Sequence, residues 1–364
     1  MQLEKKNNII DVIVPFFVPP FIGGTETVIR SWGAYLHNKS GKLRFRYINV
    51  FGYKDSNFFK DFNSENITYG GFFSNKKLIR KLGLVYLCYH FIVTKADVII
   101  VLSPKYIRLA YFIRKFFKKK YKIISWMHFS LKRVFADNKN DFRLADRHLA
   151  ISSGIAQQLQ DFGVDCSDIS VVYNPVEKSD AVIKIANAPH FLYVGRLELA
   201  KQKNIGEMLN AIYLFKQKHK NVILEIWGDG EDLNLLEEQV KKLSLENNVM
   251  FRGRSSNPWQ NIYEGTALIL TSTFEGLPMA ILESISRGLP VISSDIETGP
   301  KDEINEVNGK LYELGDVNQL VEKMEYVYNH PEKYERRKIK SSIEKFYEKN
   351  YYTNIVNILK GQGK

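Results

Sequence analysis

Between Ala267 and Ile292 the chain reads as an apolar run, a glycine turn, a short amphipathic segment and a second apolar run. That order constrains the fold more than any other feature. The run Ala267 to Leu270 has no polar alternation, which suits a parallel strand covered on both faces. Glu275 and Gly276 then supply a turn, and Pro278 stands where a first helical residue tolerates proline, because its missing N–H would be unpaired there anyway. Met279, Ile281, Leu282 and Ile285 form the apolar face of the helix that follows. Gly288 and Pro290 stop it, and Val291 and Ile292 begin the next strand. Ligands of such open α/β sheets bind beyond the carboxyl ends of the strands.

Two glutamates fall at that end. Glu275 lies in the loop ahead of the helix and Glu283 within it, roughly 7–8 Å further along the axis. Between them are helix N-terminal N–H groups, which with the helix dipole favour an anion such as phosphate. An elongated ligand with a hydroxyl-rich ring at each end and phosphates between suits this spacing. A solvated helix face beside an unrelated loop charge is the plain alternative, and the strand–loop–helix–strand setting weighs against it.

The rest of the chain repeats the same unit. Ile9 to Val18 reads as a first strand, followed by a loop with Gly23 and Gly24 and a helix for which Thr25 is the expected N-cap. These glycines let the backbone approach a ligand closely, but they match neither the Gly-Lys-Ser/Thr phosphate loop nor the three-glycine dinucleotide fingerprint. Arg44 to Phe51, Val98 to Leu102 and Lys122 to Met127 are further strands, the last followed by His128. Glu177 to Pro189 is a polar linker. Strands then recur at Phe191 to Val194, Asn221 to Trp227 and Asn248 to Arg252, so a second doubly wound sheet is expected, with a helical, aromatic tail from Ser341 to Leu359.

Length and composition narrow the function. The 364 residues suffice for two cores, and a hydrophobic content of 45% describes a globular chain. Cys88 and Cys166 are far apart and outside any pairing motif, which fits a reducing compartment. Asp11 and Pro15 interrupt the first apolar run, so it is read as a strand and not a signal peptide, and Leu84 to Val93 is too short to span a bilayer. A cytoplasmic protein is expected, with any membrane contact peripheral. The formal charge of +12 calls for an anionic partner. No zinc-finger spacing or RNA-binding aromatic signature points to nucleic acid. Lys105 to Lys122 holds eight basic residues and no acid. On a helical wheel Tyr106, Leu109, Ala110, Ile113, Phe116 and Phe117 share one face, with most cations opposite. With Lys76, Lys77, Arg80 and Lys81 this basic surface suits anionic lipid.

Glu275, seven intervening residues and Glu283, followed by Gly299-Pro300, resemble the donor-site signature of retaining glycosyltransferases of family 4. The segments SWMHFSL, HLAISSGI, DISVVYNPV, FLYVGRL and TSTFEGLPM look particularly like bacterial lipopolysaccharide 1,6-galactosyltransferases. The resemblance is weak before about Tyr121 and strong from there to about Tyr312. It implies the GT-B fold: two Rossmann-like α/β domains, 1–176 and 177–340, with the tail from about 341 to 364 crossing back to the first. It implies that Arg196 and a lysine bind the diphosphate of a UDP-sugar, and that Glu275 with the amides of Gly276 and Leu277 holds the sugar. Glu283 would accept the ribose hydroxyls and His128 would meet the sugar. Gly23 and Gly24 would face the phosphates, with Glu26 on the acceptor side. The lysine is Lys203 by its Lys-Asn-Ile context, with Lys201 as the alternate. No Asp-x-Asp element marks a magnesium site, so neither metal nor other cofactor is expected. Galactose from UDP-galactose, passed to a bacterial surface glycan, is the expected reaction. UDP-glucose or UDP-N-acetylglucosamine as donor, or a non-catalytic nucleotide-binding subunit, are the alternatives.

Overall fold

A computed structural model of the chain describes residues 8–14, 24–39, 43–50, 65–68 and 77–361. The chain divides into two compact units, Met1–Pro175 with Lys349–Lys364, and Val176–Glu348. The return to the first unit therefore falls at Lys349 and not at Ser341. Ile339, Ile343, Phe346 and Tyr347 explain the difference, because all four are buried in the second unit. There Asn308 Nδ2 donates to Ser342 Oγ at 2.8 Å, and Val176 N to the carbonyl of Phe346 at 2.9 Å.

The first unit is built on seven strands, β1 (Asn8–Val14), β2 (Leu43–Asn49), β3 (Glu65–Thr68), β4 (Val98–Val101), β5 (Lys122–Met127), β6 (Arg147–Ala150) and β7 (Ile169–Val171). They lie in the order β3-β2-β1-β4-β5-β6-β7, and every pair is parallel. Parallel strands need crossover helices, which bury both faces of the sheet, and β1 and β4 carry the Val/Ile runs that such burial demands. Helix Gly24–Lys39 packs against the C-terminal helix Glu348–Leu359. Trp32 Nε1 donates to the Tyr351 hydroxyl at 2.9 Å, and the rings of Tyr35 and Tyr352 stack 4.0 Å apart.

Two local expectations change. Thr25 is the second residue of helix Gly24–Lys39 and not its N-cap. The basic helix spans Pro104–Phe116, with Tyr106, Ile107 and Ala110 buried. Phe116 is 80% exposed, because it stands about 180° around the helix from Ile107, on the side opposite the buried face. The first loop, including Gly23, and Lys76 lie outside the described residues. Among the described residues no helix is long and apolar enough to cross a membrane.

In the second unit β8 (Lys184–Ile185) pairs with β12 (Glu264–Gly265), so the polar linker is not wholly irregular. The main sheet contains β9 (His190–Val194), β10 (Ile223–Trp227), β11 (Val249–Gly253), β13 (Ala267–Leu270), β14 (Val291–Asp295) and β15 (Gly309–Glu313), in the order β11-β10-β9-β13-β14-β15, all parallel. The order reverses direction at β9 and β13, and a crevice opens between the carboxyl ends of such strands.

One buried cluster pins the first sheet to its covering helix. Asp11 of β1 accepts from Arg46 Nε at 2.6 Å and Arg46 Nη2 at 2.9 Å. His90, on helix Lys77–Val93, meets it at 2.8 Å, and the Thr94 hydroxyl donates to it at 2.7 Å. Burial opposes ionisation of Asp11, but these hydrogen bonds outweigh it and hold the carboxyl below its ordinary value of 3.8. Asp11→Ala would leave Arg46 and His90 without their carboxylate, with only the Thr94 hydroxyl at 3.0 Å remaining to Arg46, so it should cost about 3–5 kcal/mol. Hydrogen exchange along β1 and β2 under increasing urea measures this, and a loss below about 1 kcal/mol would contradict the assignment.

Candidate active site

The crevice of the second unit is lined by the turns after β9 and β13. Tyr193, buried near the end of β9, donates its hydroxyl to the carbonyl of Arg196 at 2.7 Å and fixes the Gly195-Arg196 turn from beneath. Gly228, after β10, closes the turn from the side. Its φ is +149°, and a Cβ there would stand 1.8 Å from the carbonyl oxygen of Gly195, so only glycine fits. After Arg196 the chain loops through Lys201, Gln202 and Lys203 to Asn204, whose left-handed φ of 48° opens helix Ile205–Lys216. The Thr271 hydroxyl, one residue beyond β13, donates to the carbonyls of Lys203 and Asn204 at 3.0 and 2.9 Å, which ties this loop to the neighbouring strand.

Glu275 is the hub. Its side chain is almost buried, and Lys203 Nζ meets Oε1 at 2.5 Å while Gln202 Nε2 donates to Oε2 at 3.2 Å. Gln202 Oε1 in turn accepts from Arg196 Nη2 at 3.1 Å. One connected network thus joins Arg196, Gln202, Glu275 and Lys203. The Thr298 hydroxyl donates to the Glu275 carbonyl at 2.5 Å, and Gly299, with φ +99°, lets the next loop pass against Pro278. Gly276 and Leu277 are buried, and among the described residues neither N–H is in a hydrogen bond. Two buried unpaired amides beside a carboxylate and two cations are donors held in readiness for a ligand.

Burial separates the two candidate lysines. Lys203 is 16% exposed and paired with Glu275. Lys201 is 62% exposed and faces Asp232 at 3.5 Å, outside this network. Arg196 keeps most of its guanidinium in solvent, with Glu198 at 3.3 Å.

Pro278 occupies the N-cap position of helix Met279–Ile285, one residue earlier than its expected place as the first helical residue. Glu283 is the fifth residue of that helix. Trp259 Nε1 donates to Glu283 Oε2 at 2.7 Å. Arg287 lies 5.2 Å over the same indole and donates to the Glu283 carbonyl at 2.8 Å. Burial raises the Glu283 carboxyl above its ordinary value, against the lowering influence of Trp259 and Arg287. Sequence reasoning missed Gln202, Trp259 and Thr298. It also missed Glu303, whose carboxyl oxygens are both buried and, among the described residues, without a hydrogen bond. Burial, with the nearby charges of Asp302 and Glu275, pushes that carboxyl well above its ordinary value.

In the first unit His128 follows β5, buried, edge-on to Trp126 with ring centroids 4.4 Å apart. Among the described residues its Nε2 has no hydrogen-bond partner. The loop beyond it is held by Gln158, whose side-chain oxygen accepts from Leu131 N at 2.7 Å and whose amide donates to Ser130 Oγ at 3.2 Å. Gly24 is the exposed first residue of its helix, and Glu26 lies in the first turn of the same helix.

The model for glycosyl transferases group 1 matches residues 176–343, and that for glycosyltransferase family 4 matches residues 22–180. The chain is 35% identical over 351 residues to the lipopolysaccharide 1,6-galactosyltransferase of Salmonella typhimurium, covering 93% of this chain and 95% of that one. This chain belongs to the glycosyltransferases of group 1. Among solved structures, the lipopolysaccharide outer core galactosyltransferase WaaB in its apo form superposes with a TM-score of 0.83 at 33% identity, over 97% of this chain and 99% of that one. Anabaena HepE in complex with UDP superposes with a TM-score of 0.77 at 16% identity, over 97% of this chain and 100% of that one, and shares the fold. The glycosyltransferase therefore has the GT-B architecture, an α/β fold with two Rossmann-like parallel sheets.

Burial of His128 has a measurable consequence. It pushes the imidazole down to about 3, so the folded enzyme holds it neutral while the unfolded chain takes up a proton near 6.5. The stability it contributes is whole above pH 6.5 and is lost as the pH falls from 6.5 toward 3. Between pH 7.5 and 4.5 the first unit should lose about 2–3 kcal/mol more in the native protein than in His128→Gln. Hydrogen exchange along β5 under urea reads the difference, and equal losses would contradict a buried neutral imidazole.

Proposed function

We propose that the enzyme is a retaining hexosyltransferase that passes galactose from UDP-galactose to a bacterial surface glycan, lipopolysaccharide core being the favoured acceptor. The observation that carries this reading is the network from Arg196 through Gln202 to Glu275 and Lys203, at the switch point of the second sheet. Breaking the anomeric bond places growing negative charge on the leaving diphosphate. Cations already held in place stabilise that charge more than they stabilise the ground state. Arg196 and Lys203 are the counter-charge in this reading, with Lys201 at the rim, and they act without a divalent metal. Glu275 with the amides of Gly276 and Leu277 grips the sugar hydroxyls, and Glu283, steadied by Trp259, takes the ribose. By the family resemblance, His128 is assigned to the sugar and Glu26 to the acceptor. The leaving phosphate takes the acceptor proton in a same-face attack, so no protein nucleophile is needed. The names of the Salmonella and WaaB relatives support galactose and lipopolysaccharide, and the HepE complex supports UDP. A non-catalytic subunit has no need to keep this whole set of residues in one network.

The test is transfer from UDP-galactose, UDP-glucose and UDP-N-acetylglucosamine to truncated lipopolysaccharide, followed by NMR of the new anomeric proton. UDP-galactose should exceed the other donors by about tenfold or more, with the donor's α-configuration kept in the product. Glu275→Ala and Arg196→Ala should each lower turnover at least about tenfold, and excess chelator should leave it intact. Near-native transfer by Glu275→Ala, or inverted product, would overturn the mechanism.

The same reading places the enzyme in the cytoplasm, at the inner face of the membrane, where a lipid-borne acceptor is extended. Support comes from two helices of the first unit that pack against each other, Lys77–Val93 and Pro104–Phe116. Val85 and Tyr89 are 64% and 56% exposed, and Phe112 and Phe116 are 57% and 80% exposed. Each pair is four residues apart and so shares one helix face. Exposed Lys115, Lys118 and Lys120 adjoin them. Anionic lipid would satisfy both features, at about 1 kcal/mol per well-placed cation. Vesicles containing phosphatidylglycerol should sediment the enzyme at low salt. Binding should drop at about 0.5 M salt as screening sets in, and on converting Lys115, Lys118 and Lys119 to glutamate. Equal binding to neutral vesicles would contradict the charge-led docking.

A further inference from the structure

The side chain of Gln202 is set between two acceptors and one donor, which fixes the way its amide faces. Nε2 donates to the carbonyl of Phe274 at 3.1 Å and to Glu275 Oε2 at 3.2 Å, while Oε1 accepts from Arg196 Nη2 at 3.1 Å. A carbonyl and a lysine-paired carboxylate accept, and a guanidinium only donates. The reversed amide would set oxygen against oxygen twice and N–H against N–H once. Both amide hydrogens of Gln202 are thus committed to the turn after β13.

Fastening the loop is the ordinary role of such a residue, and the main chain already does that. The carbonyl of Gln202 accepts from Thr273 N at 2.8 Å, and the next two carbonyls accept from the Thr271 hydroxyl at 3.0 and 2.9 Å. Three successive carbonyls hold the loop to the end of β13 without the Gln202 amide. The amide acts on the Glu275 carboxylate instead. That group turns about a terminal torsion with a broad, two-fold profile, so a single hydrogen bond leaves its plane loosely set. Lys203 on Oε1 and Gln202 on Oε2 grip both oxygens and set the plane. An ammonium is a point charge on a flexible stem, and it is the group that a diphosphate attracts. Gln202 is neutral and gains nothing by following the phosphate.

We propose that Gln202 is a positioning residue of the donor site, which keeps Glu275 oriented toward the sugar while Lys203 turns to the leaving diphosphate. This role rests on the proposed seat of the nucleotide-sugar, with Glu275 on the sugar and Arg196 and Lys203 on the diphosphate. Gln202 acts through Glu275 and not on the substrate. Turnover depends on it more than nucleotide affinity does, because UDP alone has no sugar for Glu275 to hold.

The test compares three variants of the full chain, Gln202→Met, Gln202→Glu and Glu275→Ala. Methionine keeps the length of the side chain and removes its hydrogen bonds. Turnover of Gln202→Met with the native enzyme's preferred donor should fall at least about tenfold, with UDP affinity by calorimetry within about threefold of native. Retained UDP affinity also shows that the variant is folded. Gln202→Glu adds a pH readout. The titratable groups bordering the network are Arg196, Glu198 and Lys203 on this loop, Glu275 on the turn after β13, Tyr193 on β9 and Glu303 on helix Pro300–Glu303. Lys201 faces Asp232 instead. An ionised carboxyl at position 202 meets the Phe274 carbonyl and Glu275 with no proton to donate, and a protonated one restores the donor. Turnover of Gln202→Glu relative to native should therefore rise at least about tenfold from about pH 8 to about pH 5.5. A flat ratio, native turnover by Gln202→Met, or equal losses of its turnover and UDP affinity would overturn the role of Gln202. Native turnover by Glu275→Ala would instead remove the seat of the nucleotide-sugar on which that role rests. A crystal soaked with UDP reads the contact without turnover. Gln202 Nε2 should stay bonded to Glu275 Oε2 once Lys203 has moved, and a broken contact there would equally overturn the role.

Discussion

The ion pair between Lys203 and Glu275 is the contact on which the second unit's function depends. At 2.5 Å and almost out of water, each partner has given up several kcal/mol of hydration that their attraction only roughly recovers. Such a pair is a poor way to stabilise a fold. It is a good way to fix a carboxylate and an ammonium in position beside two unpaired amides. The remaining contacts serve to keep it there. Thr271 ties the lysine loop to β13, Thr298 holds the Glu275 turn, and Gly228 admits the Gly195 carbonyl where any side chain would expel it.

The sheets of the two units are each fastened by the same device. In the first, Asp11 is shared by Arg46 on the adjacent strand and His90 on a covering helix. In the second, Glu225 of β10 is shared by His190 of β9 and Arg252 of β11, at 2.9 and 3.0 Å, with the Trp227 indole as a further donor. A buried carboxylate on a largely apolar strand is tolerated only with such partners. Removing a partner costs far more than the intact group contributes. These straps fix the strands whose carboxyl ends carry the site turns.

The parallel sheets were legible because β-branched and leucine runs, separated by glycine turns and amphipathic segments, leave few other folds open. The glutamate pair was legible for the same reason, since its setting is local. Gln202 and Trp259 were not. Their partners lie 73 and 24 residues away, and a neutral side chain in a loop announces nothing until the chain has folded. The Lys-Asn-Ile context favours Lys203 over Lys201, and only the folded chain shows their partners, Glu275 for Lys203 and Asp232 for Lys201. The wheel that placed Phe116 and Phe117 on the apolar face left out Ile107, and the helix packs through Tyr106, Ile107 and Ala110, on the side opposite Phe116. Thr25 failed as an N-cap because the helix starts at Gly24.

The account's central claim is that the network around Glu275 is the seat of the nucleotide-sugar. A crystal structure of the enzyme soaked with UDP tests this most directly. The account predicts the ribose hydroxyls on Glu283, and the diphosphate between Arg196 and Lys203, with Lys203 drawn from Glu275 toward it. UDP seated elsewhere in the chain, or a Lys203–Glu275 pair left untouched by bound diphosphate, would contradict it.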